Sequence, residues 1–317
     1  MPSDRDEFLA QLAYAYYQKG EGLRQIAKSI GRSVSMASRL LQDARDRNLV
    51  EIRINYPMSR LKEIEAEIEN KYGIEKVHVF TEPSGVDRSE MLYRFGSLAA
   101  ASIEQTLRSA EIIGVSWGRQ VSRITNCITT GKSKGAGTVV QASGALGALG
   151  SDHDGARITQ SLAERLSYSA RLMPSPLIVD TADVAEALSN SPSIVSVMRL
   201  LRSADVMFAS VGAPFTETSG LARSGYLTER DLDELRSKQA VADIIGYHLD
   251  QDGEILDIEV NRRVIGISPA SLHAIPNVIL AVTGVDRAMA IRAALRGRYC
   301  NTLLTDRATA EALLSAD

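Results

Sequence analysis

Residues 113–120 read Ile-Gly-Val-Ser-Trp-Gly-Arg-Gln. An apolar, strand-like run gives way there to a hydroxyl, two glycines and a cation, and a helical pattern follows. Such a turn aims the free N–H groups of the new helix outward. Ser116, Gly118, Arg119 and Gln120 would then cradle a phosphate. A tight strand-to-helix turn without a ligand fits the same spacing. The loop is neither the Gly-x-Gly-x-x-Gly dinucleotide fingerprint nor a Walker loop, so no cofactor is expected. Residues 139–144 (VVQASG) end a second candidate strand in polar and small side chains, Gln141 and Ser143 among them. Ligands of open α/β sheets bind beyond such strand ends. Asp243 and Arg287 each fall in or just after a candidate strand end. A carboxylate and a guanidinium facing one cleft suit sugar hydroxyls and a second anionic group. A structural ion pair is the alternative.

Catalysis and metal binding find little support. His78, His153, His248 and His273 are scattered, and none has a metal-ligand partner at helical spacing. There is no Gly-x-Ser-x-Gly elbow, and Asp243 is the only cleft carboxylate with no histidine clearly joined to it. Cys127 and Cys300 lie far apart without a Cys-x-x-Cys spacing, so reduced core thiols of a cytoplasmic protein are expected. No metal site and no catalytic residue is assigned.

The elements that would position these residues alternate. Candidate strands lie at 76–80, 111–115, 138–142, 205–211, 240–247, 278–283 and 301–304. Helical patterns fall between them, from 89–108 to 308–315. This rhythm predicts a mainly parallel, doubly wound sheet with helices on both faces. Before residue 57 the periodicity is helical, apart from a short alternating run at 50–54. Residues 58–72 carry Leu61, Ile64 and Ile68 at 3-4 spacing, a short seam that would connect domains or pair with a second subunit. The organisation expected is 1–56, a linker helix over 57–73, and a larger domain over 74–317.

Residues 23–42 (LRQIAKSIGRSVSMASRLLQ) have the form of two helices joined by a tight turn. Ala27 is small where helices cross, and Gly31 can take the positive φ of the turn. Ile26, Ile30, Val34, Ala37 and Leu40 are candidate core residues. The exposed face of the second helix would carry Ser35, Ser38 and Arg39, with Arg32 and Ser33 at its entrance and Gln25 on the helix before. Small hydroxyls admit a helix to the major groove, and Arg39 can read a guanine edge or bind phosphate. Val34 either packs inward or touches a thymine methyl. The alternation at 50–54 predicts a β-wing. An ordinary helical hairpin, or one that pairs with protein, is the competing reading.

The 317 residues suggest a small domain plus a large one. The net charge of −3 hides an asymmetry: residues 1–60 hold ten Lys/Arg against seven Asp/Glu, and the remainder is acidic. That contrast permits nucleic-acid binding by the N-terminal part. No apolar run approaches the roughly 18–20 residues of a membrane helix, and the polar, acidic N-terminus is not that of a signal peptide.

Taken together and in order, LRQIAKSIGRSVSMASRLLQDARDRNLVEIRI, IGVSWGR, VVQASG, AVADIIGYHLDQDGEI and RRVIGISPASLHAIPNVILAVTG resemble the SorC family of sugar-binding transcriptional regulators (SorC/DeoR-type) over nearly the full length. The resemblance implies a winged helix-turn-helix fused to a Rossmann-like domain related to sugar-phosphate isomerases. It implies operator DNA and a phosphorylated sugar as partners, control of a carbohydrate-catabolic operon, and a homodimer or homotetramer. It places Ser116, Gly118, Arg119 and Gln120 on the family's phosphate loop, Asp243 on its acidic ligand-contacting position, and Arg287 where Lys is usual. Arg and Lys differ in geometry, since only Arg makes planar two-toothed contacts. An isomerase- or deaminase-like enzyme with an appended N-terminal domain is the alternative.

Overall fold

The computed structural model describes residues 4–316 apart from 48, 51, 53, 55, 58, 82–84, 86, 132–134, 147–152 and 216–218. The chain divides into two compact units, Met1–Asn55 and Tyr56–Asp317.

The first unit holds α1 (Asp4–Tyr17), α2 (Leu23–Ser29) and α3 (Val34–Asp46). They share a small core that includes Leu9, Leu12, Ile26, Ala27, Ala37, Leu41 and Ala44. Alanines at 27 and 37 let α2 and α3 approach closely, and Gly31 turns the chain between them at φ +62°. Ser33 caps α3, its hydroxyl accepting the Met36 N–H at 3.2 Å. Exposed ion pairs tie α3 to α1: Arg5–Asp43 at 2.7 Å and Arg47–Asp6 at 2.9 Å. Val34 is 43% exposed, so the inward seam of α3 runs through Ala37, Leu41 and Ala44 instead. The wing expected over 50–54 lies, at 51 and 53, outside the described residues.

The second unit opens with α4 (Lys62–Tyr72), β1 (Lys76–Phe80), α5 (Arg88–Ser109), β2 (Ile112–Val115), α6 (Arg119–Cys127), β3 (Thr138–Gln141), α7 (Gly155–Leu166) and β4 (Ser169–Arg171). It continues with α8 (Ala182–Ser189), α9 (Pro192–Arg202), β5 (Val206–Ala209), β6 (Val211–Gly212), α10 (Gly220–Ser224), α11 (Glu229–Ser237), β7 (Ala242–Ile244) and β8 (Tyr247–Leu249). It ends with α12 (Glu259–Arg262), α13 (Pro269–Leu272), β9 (Asn277–Ala281), α14 (Ala288–Arg296), β10 (Thr302–Asp306) and α15 (Arg307–Ser315).

Seven strands form one parallel sheet in the order β1-β10-β9-β5-β2-β3-β4. Both faces are covered. Along β5, Val206 and Phe208 enter one core with residues of α5, α6 and α7, while Met207 and Ala209 enter the other with residues of α9 and α14. Near-continuous apolar strands follow from burial on two faces. The order reverses between β2 and β5: the chain steps outward from β2 to β3 and β4, then returns to the other side of β2 as β5.

Two expectations change. The stretch 240–247 is not one strand of the main sheet. It is β7, a two-residue turn and the start of β8, and with β6 these form a separate antiparallel sheet. Ile245 and Gly246 make the turn at φ +54° and +92°, the successive positive φ values that hairpin turns demand. Helix α4 presents no free seam for a second subunit. Its Ile68 is fully buried, and Leu61 and Ile64 pack on the same core as Val77 and Val79 of β1.

Glu65 fastens α4 to β1. Arg60 grips its carboxylate with two hydrogen bonds, at 2.6 and 2.7 Å, and the Val79 N–H donates to it at 3.0 Å. Burial pushes the Glu65 pKa up, but hydrogen bonds from Arg60, Val79 and Lys62 outweigh it and hold the acid below its ordinary value. Glu65→Ala leaves Arg60 without its partner, and urea unfolding should show a loss of about 3 kcal/mol. The advantage of the wild type over the variant is full above about pH 4.3, the ordinary glutamate value, and fades as pH falls through the depressed folded pKa. A loss under about 1 kcal/mol would reduce the pair to a surface contact.

Candidate functional site

A cavity of about 330 Å³ opens where the sheet order reverses. It sits beyond the carboxyl ends of β2 and β5, the crevice that open α/β sheets use for ligands. One wall is Ser116, Trp117, Gly118 and Arg119, between β2 and α6; another is Ser210, Val211 and Gly212, after β5. Asp243 of β7, Ile245 of its turn, and Arg287 just before α14 form the deeper side. Gly220 and Arg223 of α10, with Leu146 and His153, complete the lining.

Local chemistry fixes the geometry of the turn at 116–119. The Ser116 N–H donates to the Phe208 carbonyl at 3.0 Å, prolonging the pairing of β2 with β5 by one residue. Gly118 then turns at φ +134°, a conformation closed to side chains, and its N–H donates to the His153 carbonyl at 3.0 Å. No side chain caps α6 at Gly118, so its first-turn N–H groups and positive helix end favour an anion. Ser210 holds the end of β5 to β9, donating to the Ala281 carbonyl at 2.8 Å.

Asp243 is 3% exposed. Burial drives its pKa up and the Arg287 charge pulls it down; burial wins, and the carboxyl titrates at about 6. Two glycines make room around this side of the cavity. A Cβ on Gly212 would lie 2.3 Å from an Asp243 carboxylate oxygen, and one on Gly220 would lie 2.4 Å from the Trp117 ring. Arg287 is itself buried, whereas Arg223 is exposed at the rim. Three guanidinium groups and one carboxyl of raised pKa therefore line one space.

Of the residues singled out by sequence, Ser116, Gly118, Arg119, Asp243 and Arg287 line this cavity together. Gln120, Gln141 and Ser143 do not. Gln120 points its amide at the Thr283 hydroxyl. Gln141 accepts the Met173 N–H at 3.1 Å, inside the protein. Ser143 bridges to Gly266 and is buried. Ser210, Gly212 and Gly220 were legible only as features of strand ends and turns. Arg223 gave no signal, because a five-residue helix has no periodicity to read. No cluster of His, Cys, Asp and Glu fit to hold a metal ion occurs among the described residues, and none of their helices is long and apolar enough to cross a membrane.

A parallel sheet with a cation-lined crevice at its switch point defines a small-molecule binding domain, here behind a separate three-helix unit. Residues 56–315 match the family model described as "Putative sugar-binding domain". The chain is 30% identical over 315 residues to the deoxyribonucleoside regulator of Bacillus subtilis (strain 168), covering 99% of each. It is 28% identical over 313 residues to the sorbitol operon regulator of Klebsiella pneumoniae, covering 98% of this chain and 99% of that one. The crystal structure of the full-length sorbitol operon regulator SorC from Klebsiella pneumoniae matches with a TM-score of 0.75 at 26% identity, over 99% of this chain and 100% of that one. The chain belongs to this sugar-binding-domain family of SorC/DeoR-type transcriptional regulators. These relatives are named as regulators, and the chain is a regulator rather than an enzyme.

The raised Asp243 pKa has a consequence for stability. The folded state holds this proton more tightly than the unfolded chain does, so ionising Asp243 costs stability as pH rises from about 3.8 to about 6. Asp243→Asn removes that cost. Urea unfolding at pH 4.5 and 6.5 should show the variant gaining on the wild type at the higher pH. An identical difference at both values would mean that Asp243 ionises without penalty.

Proposed function

We propose that this chain is a DNA-binding transcriptional regulator of a carbohydrate-catabolic operon, and that a phosphorylated sugar in the cavity at 116–119 controls it. The observation that carries the reading is the grouping of Arg119, Arg223, Arg287 and Asp243 around one cavity at the uncapped start of α6. The helix end and Arg119 take the phosphate. Asp243 accepts from sugar hydroxyls when ionised and donates when protonated. Arg287 takes a second oxygen-rich group in a planar, two-toothed manner. The names of the relatives, a deoxyribonucleoside regulator and a sorbitol operon regulator, agree with a sugar-derived effector.

Operator DNA is read by the Met1–Asn55 unit. Gln25, Arg32, Ser33, Val34, Ser35, Ser38 and Arg39 are all exposed around the α2–α3 turn and along α3. Arg39 and the small hydroxyls of Ser35 and Ser38 enter the major groove, and exposed Val34 offers a methyl contact. Ser33 is spent as the cap of α3 and acts by fixing its start. Exposed Met36 joins this face as an apolar contact that sequence reasoning passed over. The effector domain includes 57–73 along with 74–317, since α4 shares the sheet's core. A cytoplasmic homodimer or homotetramer presents paired recognition helices to half-sites about one DNA turn apart.

Arg39→Ala should weaken operator binding by roughly 10- to 100-fold in a gel-shift titration, the loss expected for one base-reading arginine. Arg119→Ala and Asp243→Ala should keep operator affinity while blunting the response to added sugar phosphate. Trp117, the only tryptophan, lies in the cavity wall, so its fluorescence follows binding directly. Unchanged operator affinity in Arg39→Ala would remove the α3 assignment. A normal effector response in both cavity variants would remove the pocket.

A further inference from the structure

Helix α14 starts beside Arg287 in the effector cavity and ends at a second cavity, of about 450 Å³. Lys71 and Tyr72 of α4 line this second space, with Arg292 and Arg296 of α14, Arg298 beyond it, and Ala316. Four of these side chains are cations, and no carboxylate is among the described residues that line it.

Three of the cations are accounted for or reach solvent. Lys71 donates to the Leu314 carbonyl at 2.8 Å. Arg296 donates to Asp252 at 2.9 Å. Arg298 is exposed, and it occupies φ +55° after α14, a place where glycine would be free of strain. Cations near a helix C-terminus complement its dipole, which explains exposed Arg296 and Arg298. It does not explain Arg292. That guanidinium is 5% exposed, and its Nε and Nη1 atoms are buried with no hydrogen-bond partner among the described residues. A buried charge without an acceptor is strongly disfavoured, and three like charges nearby worsen its position. The missing component is an anion.

We propose that this cavity is a second anion site, distinct from the effector cavity, that takes a phosphate group with Arg292 as its buried anchor. Arg298, Arg296 and Lys71 supply the outer charges. A phosphomonoester and free phosphate share this chemistry, and the volume accepts a phosphate together with part of its carrier.

The test is thermal unfolding of the full chain in phosphate-free buffer, with inorganic phosphate, and with glycerol phosphate, while Trp117 fluorescence reports the effector cavity in parallel. In the Arg119→Ala chain, which lacks the effector cavity's phosphate-facing cation, phosphate should still raise Tm by about 3 °C at ten times its dissociation constant. Adding Arg292→Met to the Arg119→Ala chain should abolish that rise, and Arg292→Met alone should leave the Trp117 response to sugar phosphate intact. Without phosphate, Arg292→Met should unfold at or above the wild-type temperature, because it removes an unpaired buried charge. Equal shifts with both ligands identify free phosphate as sufficient, and a larger shift with glycerol phosphate identifies a phosphorylated metabolite. A phosphate response that survives in the chain carrying both Arg119→Ala and Arg292→Met overturns the site. So does a variant that unfolds well below wild type without phosphate, since Arg292 would then have its partner within the protein.

Discussion

A parallel sheet covered by helices on both faces leaves its polar groups few places to go. Side chains along β2, β3, β5 and β9 enter one apolar core or the other, and a charge placed among them would have no water and no acceptor. Hydrophilic chemistry is therefore confined to strand ends. Strand order then selects among the ends. Where β2 and β5 lie side by side, their following segments leave in different directions, into α6 from β2 and into β6 from β5. Among the described residues nothing fills the gap between them, and the cavity is that gap. The glycines at 118, 212 and 220 keep it open: Gly118 because its φ forbids a side chain, the other two because a Cβ would strike Asp243 or Trp117.

Electrostatics inside the gap are graded by depth. Arg223 stands at the rim in solvent, where its charge is screened and serves mainly to draw anions in. Arg287 and Asp243 are buried, so their interactions with one another and with a ligand are little screened. Burial alone would keep Asp243 protonated well above its ordinary range, and the Arg287 charge lowers its pKa part of the way back. The acid is thereby poised to change ionisation with what occupies the cavity. A ligand that adds negative charge raises its pKa further, and one that donates hydroxyl hydrogens lowers it.

The legible part of this structure was the part built from long, regular segments. Strands 76–80, 112–115 and 138–141 and helix 119–127 show in hydrophobic period, and the start of α6 showed in its glycines. Asp243 was found for its type and position, yet its strand was placed in the wrong sheet. The run at 240–247 is apolar almost throughout, and apolar continuity cannot tell a buried parallel strand from a tight hairpin whose turn falls on Ile245-Gly246. Helix α4 misled in the opposite way: its 3-4 seam is real, but a seam does not name its partner, and Glu65, which no apolar period marks, is the residue that fastens it to β1. Gln141 and Ser143 sit at a true strand end but one strand outside the switch point, where the Gln141 amide oxygen and the Ser143 hydroxyl serve the protein's own backbone. Arg223 depends on a five-residue helix too short to show a hydrophobic period.

The division of the cavity between two sheets bears on how occupancy becomes a signal. Arg119 and the α6 start belong to the main parallel sheet, while Asp243 belongs to the small antiparallel sheet of β6, β7 and β8. A ligand that touches both ties the two layers together. To carry a two-state equilibrium from about 1:99 to 99:1, it must favour one arrangement by roughly 5.5 kcal/mol. Exposed contacts contribute at most about 1 kcal/mol each, so Arg223 cannot supply that difference. Hydrogen bonds to charged groups are worth about 1.5–3 kcal/mol each. Two or three of them, made to Asp243, Arg287 and the α6 N-terminus in one arrangement and lost in the other, reach the required amount. The buried groups are thus the ones able to convert binding into a change of state, and the rim can only tune how readily the ligand arrives.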